Sequence, residues 1–181
     1  MTSLALILGC AGPVLSADEA AFFREGVGVV TPHRAQQAAI LERLGARLPP
    51  EVDRESMTAA VDTVERFQGQ QKAVMVASFG IGDADQIAAE EEFLFGLNRF
   101  NVIASRARAK LVVVMSRSLA DHLPRDLAVL RGSRLLKGFV GRHLPSVAYA
   151  RIPGLGRCEI RRAGPKPHPE FVHPAPAVAA E

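Results

Sequence analysis

VDTVERFQGQQKAVMVASF, residues 61–79, holds two apolar segments separated by a polar one, and how it is parsed decides the fold. Ala73–Phe79 is a near-continuous apolar run, the pattern of a strand buried on both faces of a parallel sheet. Residues 60–64 alternate like a short strand and run out into the polar loop Glu65–Gln71. Open α/β sheets place ligands outside the carboxyl ends of their strands, so this loop is a candidate ligand loop. Gly69 within it would let backbone approach a ligand closely. An ordinary turn at Gln68-Gly69, and a plain β-branched strand residue at Thr63, are the alternatives.

Upstream, Leu4–Leu8 reads as a strand closed by the turn cluster GCAGP, and residues 17–24 as a short helix. Val27–Val30 is a β-branched strand followed by Thr31-Pro32, read as a helix N-cap with proline in the first turn. The helix over about 33–47 carries Leu41, Leu44 and Leu48 on one core-facing stripe, and Leu48-Pro49-Pro50 ends it. Downstream, residues 80–89 read as a polar connection, and Glu90–Glu92 as the opening of a helix, where carboxylates suit the dipole. Leu97–Ala107 reads as a second helix, Leu111–Met115 as a strand, and 126–143 as an amphipathic helix with Leu127, Leu130, Leu135 and Phe139 toward the core. Strands alternating with helices predict an α/β fold with a mainly parallel sheet and helices on both faces. Residues 1–163 are expected to form one domain. The segment GPKPHPEFVHPAPAVAAE, 164–181, is expected to be a disordered Pro/Ala-rich tail.

The 181 residues are 48% hydrophobic and 23% charged, ordinary for a globular protein with a sizeable core. The net charge of +3 conceals an asymmetry: residues 1–95 sum to −7 and residues 96–181 to +10. A basic half attracts polyanions, which makes nucleic acid the natural partner, although a merely solvated basic face has the same composition. Cys10 and Cys158 have no CxxC neighbours, so neither a zinc site nor a disulfide framework is expected, and a reducing cytoplasm fits. MTSLALILGC resembles an export signal but lacks a basic n-region, so a buried strand is the expectation. No run approaches the ~18 apolar residues of a membrane helix. His168 and His173 lack carboxylate or cysteine partners and are read as solvated, with no metal site.

NRFNVIASRARAK, residues 98–110, carries the remaining chemistry. On a helix, Arg99 and Arg106 are seven residues apart and share a face, while Arg108 points to the other side. Asn98 either orients neighbouring loops or caps the helix. Together with VDTVERFQGQQ (61–71) and VGVVTPHRAQQAAI (27–40), in that order and spacing, this segment resembles the last motifs of superfamily 1 DNA and RNA helicases. The wording is closest to the branch that holds the nonsense-mediated-decay helicase and the Okazaki-fragment helicase-nuclease. The resemblance covers roughly residues 20–145 and implies the second motor domain, a RecA-like three-layer sandwich.

The resemblance further implies that Arg106 is an arginine finger reaching the γ-phosphate of ATP on a partner domain, a role that contributes about 10³–10⁵ to turnover. It implies that Gln68, Gly69, Gln71 and Arg99 border the nucleotide. Thr31, Pro32, His33 and Thr63 would contact a strand of nucleic acid, Thr31 together with the free amides of the following helix. Arg106 should then project toward the crevice at the exposed ends of the sheet. Gln71 departs from the pattern, since the family usually has a glutamate there to accept the ribose hydroxyl, and an amide oxygen accepts with about half the strength. The family usually has tyrosine where His33 stands. No Gly-x-x-x-x-Gly-Lys-Ser/Thr loop occurs in the sequence. ATP and Mg²⁺ are therefore expected to be held mainly by a first RecA-like domain absent from this chain, supplied in cis or trans, and the chain should be inactive alone. The expected partner is single-stranded DNA or RNA, DNA being favoured, with no membrane. The alternative is a non-catalytic nucleic-acid-binding module derived from a helicase domain, and the difference between half an enzyme and a binder is left open.

Overall fold

The structure is a computed structural model that describes residues 21–48, 52–67, 71–152 and 156–163. Leu4–Leu8, Gln68, Gly69 and the segment 164–181 lie outside the described residues. The chain divides into two compact units with a boundary between Leu135 and Leu136, which falls inside the span read from sequence as one domain.

The larger unit is built on four parallel strands: β1 (Val27–Thr31), β2 (Val61–Thr63), β3 (Lys72–Ser78) and β4 (Ala107–Val114), in the order β2-β1-β3-β4. All five residues of β1 are buried, as befits a central strand covered on both faces. Val27 pairs with Val74 and Val29 with both Val61 and Val76, so these valines share one face. On that face they meet Phe22 and Phe23 of a π-helical turn (Phe22–Gly26), Leu44 and Leu48 beside helix α1 (Arg34–Gly45), and Met57 of helix α2 (Arg54–Ala59). Leu41 is partly buried against the same cluster, so the expected leucine stripe is the contact surface. Asp53 caps α2 by accepting from the amides of Glu55 and Ser56. The Ser56 hydroxyl, first among these donors, holds the Asp53 carboxyl below its usual range.

The opposite face shows why β1 contains a glycine. A Cβ on Gly28 would lie 2.7 Å from Phe67 Cζ and 2.8 Å from both Lys72 Cγ and Met75 Sδ. The chain leaves β2 at Thr63, crosses β1 with Phe67 laid over Gly28, and enters β3 on the other side. Helices α3 (Ala84–Ala89), α4 (Glu91–Phe95) and α5 (Leu97–Arg106) then connect β3 to β4, with Ile103 of α5 buried. The α/β fold with a mainly parallel sheet is thus as expected.

Several local expectations are corrected. Thr31 is the last residue of β1, paired with Thr63, and the N-cap of α1 is His33 in extended backbone. Residues 84–89 are helical, because Asp83 caps them by accepting from the Gln86 amide and Ile87 is fully buried. Gly96 is the N-cap of α5, which puts Asn98 inside the first turn. Arg108 belongs to β4 and not to the helix, and it donates to the Glu25 carbonyl at 3.3 Å. Helix α6 (Arg117–Asp121) follows β4, and α7 (Leu127–Gly138) runs on into a second π-helical turn, Phe139–His143. Leu127 and Leu135, expected in the core, are exposed by 59% and 40%.

The smaller unit contains an antiparallel hairpin, β5 (Ser146–Ile152) and β6 (Gly156–Arg162), which the sequence reading passed over. No helix among the described residues is long and apolar enough to cross a membrane.

Candidate functional site

In a parallel sheet every helix that follows a strand starts at the carboxyl rim and ends at the amino rim. The site residues fall at these two opposite rims.

At the carboxyl rim, Gln36 in the first turn of α1 ties three elements together. Its Oε1 accepts from the Thr31 hydroxyl at 2.5 Å and from the Gly80 amide at 3.0 Å, and its Nε2 donates to Ser78 Oγ at 2.8 Å. Thr31 has no exposed surface. Its hydroxyl organises the rim through Gln36. Thr63 stands level with it and is 8% exposed. Pro32 and His33 are half-buried at the head of α1, beside backbone amides of the first turn that have no intrahelical partner. Replacing Gln36 by leucine removes the acceptor of a fully buried hydroxyl. Urea denaturation should then show a loss of about 1–3 kcal/mol.

Planar groups line this rim. The His33 ring stacks on Phe93 at 5.4 Å, and the Arg99 guanidinium lies 3.5 Å over the same phenylalanine. Glu90 pairs with His33 Nε2 at 3.0 Å and Glu65 with Arg99 Nη1 at 3.0 Å. A narrow cavity lies among Thr31, Pro32, Val64, Phe93 and Arg99, and an open groove beside it is lined by His33 and Glu90–Glu92. Arg99 is thus a carboxyl-rim residue engaged with Glu65 and Phe93. Arg99 and Arg106 lie on the same helix, seven residues and about 10 Å apart along its axis, so they stand near opposite ends of it.

Arg106 is the last residue of α5, and Ala107 opens β4 opposite Lys72 of β3. Gln71 and Arg106 therefore enter adjacent parallel strands side by side at the amino rim. The helix carrying Arg106 thus descends from the carboxyl rim to the amino rim. Arg106 is half-buried, and its Nε is buried without a hydrogen-bond partner among the described residues. Buried guanidinium nitrogens are ordinarily satisfied, so this one has the capacity to take an acceptor. Gln71 is exposed beside it. No group of three or more His, Cys, Asp or Glu among the described residues could hold a metal ion.

Lys72 completes this rim from inside. It is 3% exposed, and its Nζ donates to the carbonyls of Phe23 at 2.9 Å and Arg24 at 2.5 Å in the π-helical turn. Burial pushes the ammonium below its usual 10.5, partly offset by Glu25. A lysine that releases its proton earlier in the folded state leaves the unfolded chain with more bound protons between the two values. Unfolding free energy therefore rises with pH across that interval, up to 10.5. Denaturation curves should show this alkaline gain in the wild type and not in Lys72→Met.

The model of a family described as an AAA domain matches residues 7–118, more than half of the chain. The chain belongs to this family. The family is that of the carboxy-terminal domain of superfamily 1 helicases, and the parallel four-stranded sheet with its helices is the matching RecA-like fold. This AAA domain is therefore a helicase-type RecA-like domain, and the matched span contains both rims. The residues that sequence reasoning missed are Gln36, Glu65, Glu90 and Phe93. Gln36 gives no local signal, because two of its partners are more than 40 residues away in the chain.

Proposed function

We propose that this AAA domain is the second motor domain of an ATP-dependent superfamily 1 helicase of the nonsense-mediated-decay and Okazaki-fragment branch, acting on single-stranded nucleic acid, DNA in preference. The observation that carries the reading is the half-buried Arg106 at the amino rim, its Nε without an acceptor among the described residues, next to Gln71. A trans-acting finger serves a nucleotide bound by another domain, so it has no reason to stand at the carboxyl rim of its own sheet. The triphosphate and Mg²⁺ are held mainly by a first RecA-like domain that carries the phosphate loop, and the bound nucleotide supplies the bond that is cleaved. Arg106 then places its charge where negative charge builds on the transferring phosphoryl group. Gln71, with Gln68 and Gly69 in the same connection, borders the nucleotide.

Nucleic acid is gripped at the opposite rim. The amino end of α1 offers free amides and the exposed Arg34 to a phosphate, with Thr31 holding that helix end through Gln36 and Thr63 beside it. Pro32 and His33 shape the helix start. Two of the carboxylates here have partners: Glu65 pairs with Arg99, and Glu90 lies 3.0 Å from His33 Nε2.

The exposed Gln71 in place of a carboxylate favours a second reading, a module that keeps the nucleic-acid grip and has lost the motor. One assay separates the two. The chain is mixed with a helicase first domain bearing a Gly-Lys-Thr loop, and ATP hydrolysis is followed with and without single-stranded DNA. The motor reading requires strand-dependent stimulation, and unstimulated hydrolysis leaves the binding module.

A further inference from the structure

The hairpin β5–β6 lies outside the span matched by the family and presents a face with its own chemistry. Val147, Tyr149 and Arg151 stand on one side of the ladder opposite Arg161, Glu159 and Arg157. Tyr149 is 55% exposed, and the Arg157 guanidinium lies 4.2 Å over its ring. Arg151 and Arg157 are direct cross-strand partners, and like charges so placed repel. Neither has a carboxylate partner among the described residues, because Glu159 is paired with Arg161, which also donates to the Val140 carbonyl at 3.4 Å. Residues 146–162 carry four arginines against one acidic residue.

We propose that this face is a second binding surface for single-stranded nucleic acid, with a phosphate between Arg151 and Arg157 and a base stacked on Tyr149. An anion between the two guanidiniums turns their repulsion into a bridge. An exposed ring already backed by a guanidinium plane extends naturally to a third planar group, and every base has such a face. An acidic peptide would satisfy the arginines and leave the ring without a partner. Binding is therefore sequence-tolerant and salt-dependent. The inference rests on the nucleic-acid reading above only for the kind of polyanion.

The chain contains one tyrosine and no tryptophan, so its intrinsic emission reports on Tyr149 alone. Titrating the full chain with a short oligothymidylate should quench that emission. Anisotropy of a labelled oligothymidylate should show Tyr149→Ala binding about tenfold more weakly and Tyr149→Phe binding like wild type. The double variant Arg151→Glu/Arg157→Glu should lower the salt slope of log affinity by about 0.7, the one single-strand phosphate held between the two arginines. Oligothymidylate binding without quenching, and unchanged in these variants, overturns the hairpin surface while leaving the sheet-rim reading intact. Equal quenching by polyglutamate overturns it in favour of an acidic protein partner. Absence of any binding also overturns it, and the strand-stimulated hydrolysis assay with a first domain decides separately whether the motor reading stands.

Discussion

Arg106→Ala should reduce strand-stimulated ATP hydrolysis by about 10³–10⁵ in the presence of a loop-bearing first domain, with single-strand affinity unchanged. The size follows from what the group does: a guanidinium aimed at developing charge in a dry cleft acts on the transition state and on little else. The separation of effects follows from position, since Arg106 ends α5 at the amino rim while the amides of α1 open at the carboxyl rim. Arg106→Lys should recover little, because an ammonium cannot reproduce the planar two-pronged contact. Arg99→Ala supplies the contrast. It removes the ion pair with Glu65 and the stack on Phe93, so it should lower stability modestly and leave turnover within severalfold of wild type. Equal turnover for Arg106→Ala and wild type would remove the motor assignment.

Leu44→Ala should destabilise the larger unit by about 2–5 kcal/mol, read as a lowered denaturation midpoint at unchanged slope. Leu44 has no exposed surface and sits among Phe22, Phe23, Val29, Leu48 and Met57, where the π-helical turn and α2 meet the sheet. Those neighbours belong to different elements, so they cannot all close on the void together, and the loss falls toward the larger end of the range. Leu41→Ala, one turn away and only partly buried, should cost less than half as much.

How much of this could be read in advance divides along physical lines. The two central strands were legible because apolar runs bounded by turn residues have few other solutions. The stripe Leu41, Leu44 and Leu48 was legible because helical periodicity is local. What failed was each judgement that needed a partner far away in the chain. The capping role read for Thr31 is one such judgement, since it closes β1 and its bond to Gln36 shows only when β3 is set beside β1. Leu127 and Leu135 have the right spacing for a buried stripe, but spacing does not say whether a surface exists to receive it. The rim on which Arg106 stands was in fact deducible. A helix that runs directly into a parallel strand must end at that strand's amino end, as α5 does before β4. The hairpin carried a signal too: SVAYARI and GRCEIRR alternate on either side of a proline- and glycine-containing turn.

Thr63 lies level with Thr31 at one edge of the sheet, whereas Lys72 lies two residues before Val74, the partner of Val27, at the other. The climb between them is about 20 Å, six residues of strand rise. The eight residues that join β2 to β3 reach at most about 30 Å when fully stretched. The first residues turn back on Thr63, whose carbonyl accepts from the Arg66 and Phe67 amides, and Phe67 pins the crossing onto the bare backbone of Gly28. In the proposed reading this connection is the covalent link from the edge that grips nucleic acid to Gln71 at the nucleotide edge, and Phe67 is the clasp that fixes its course.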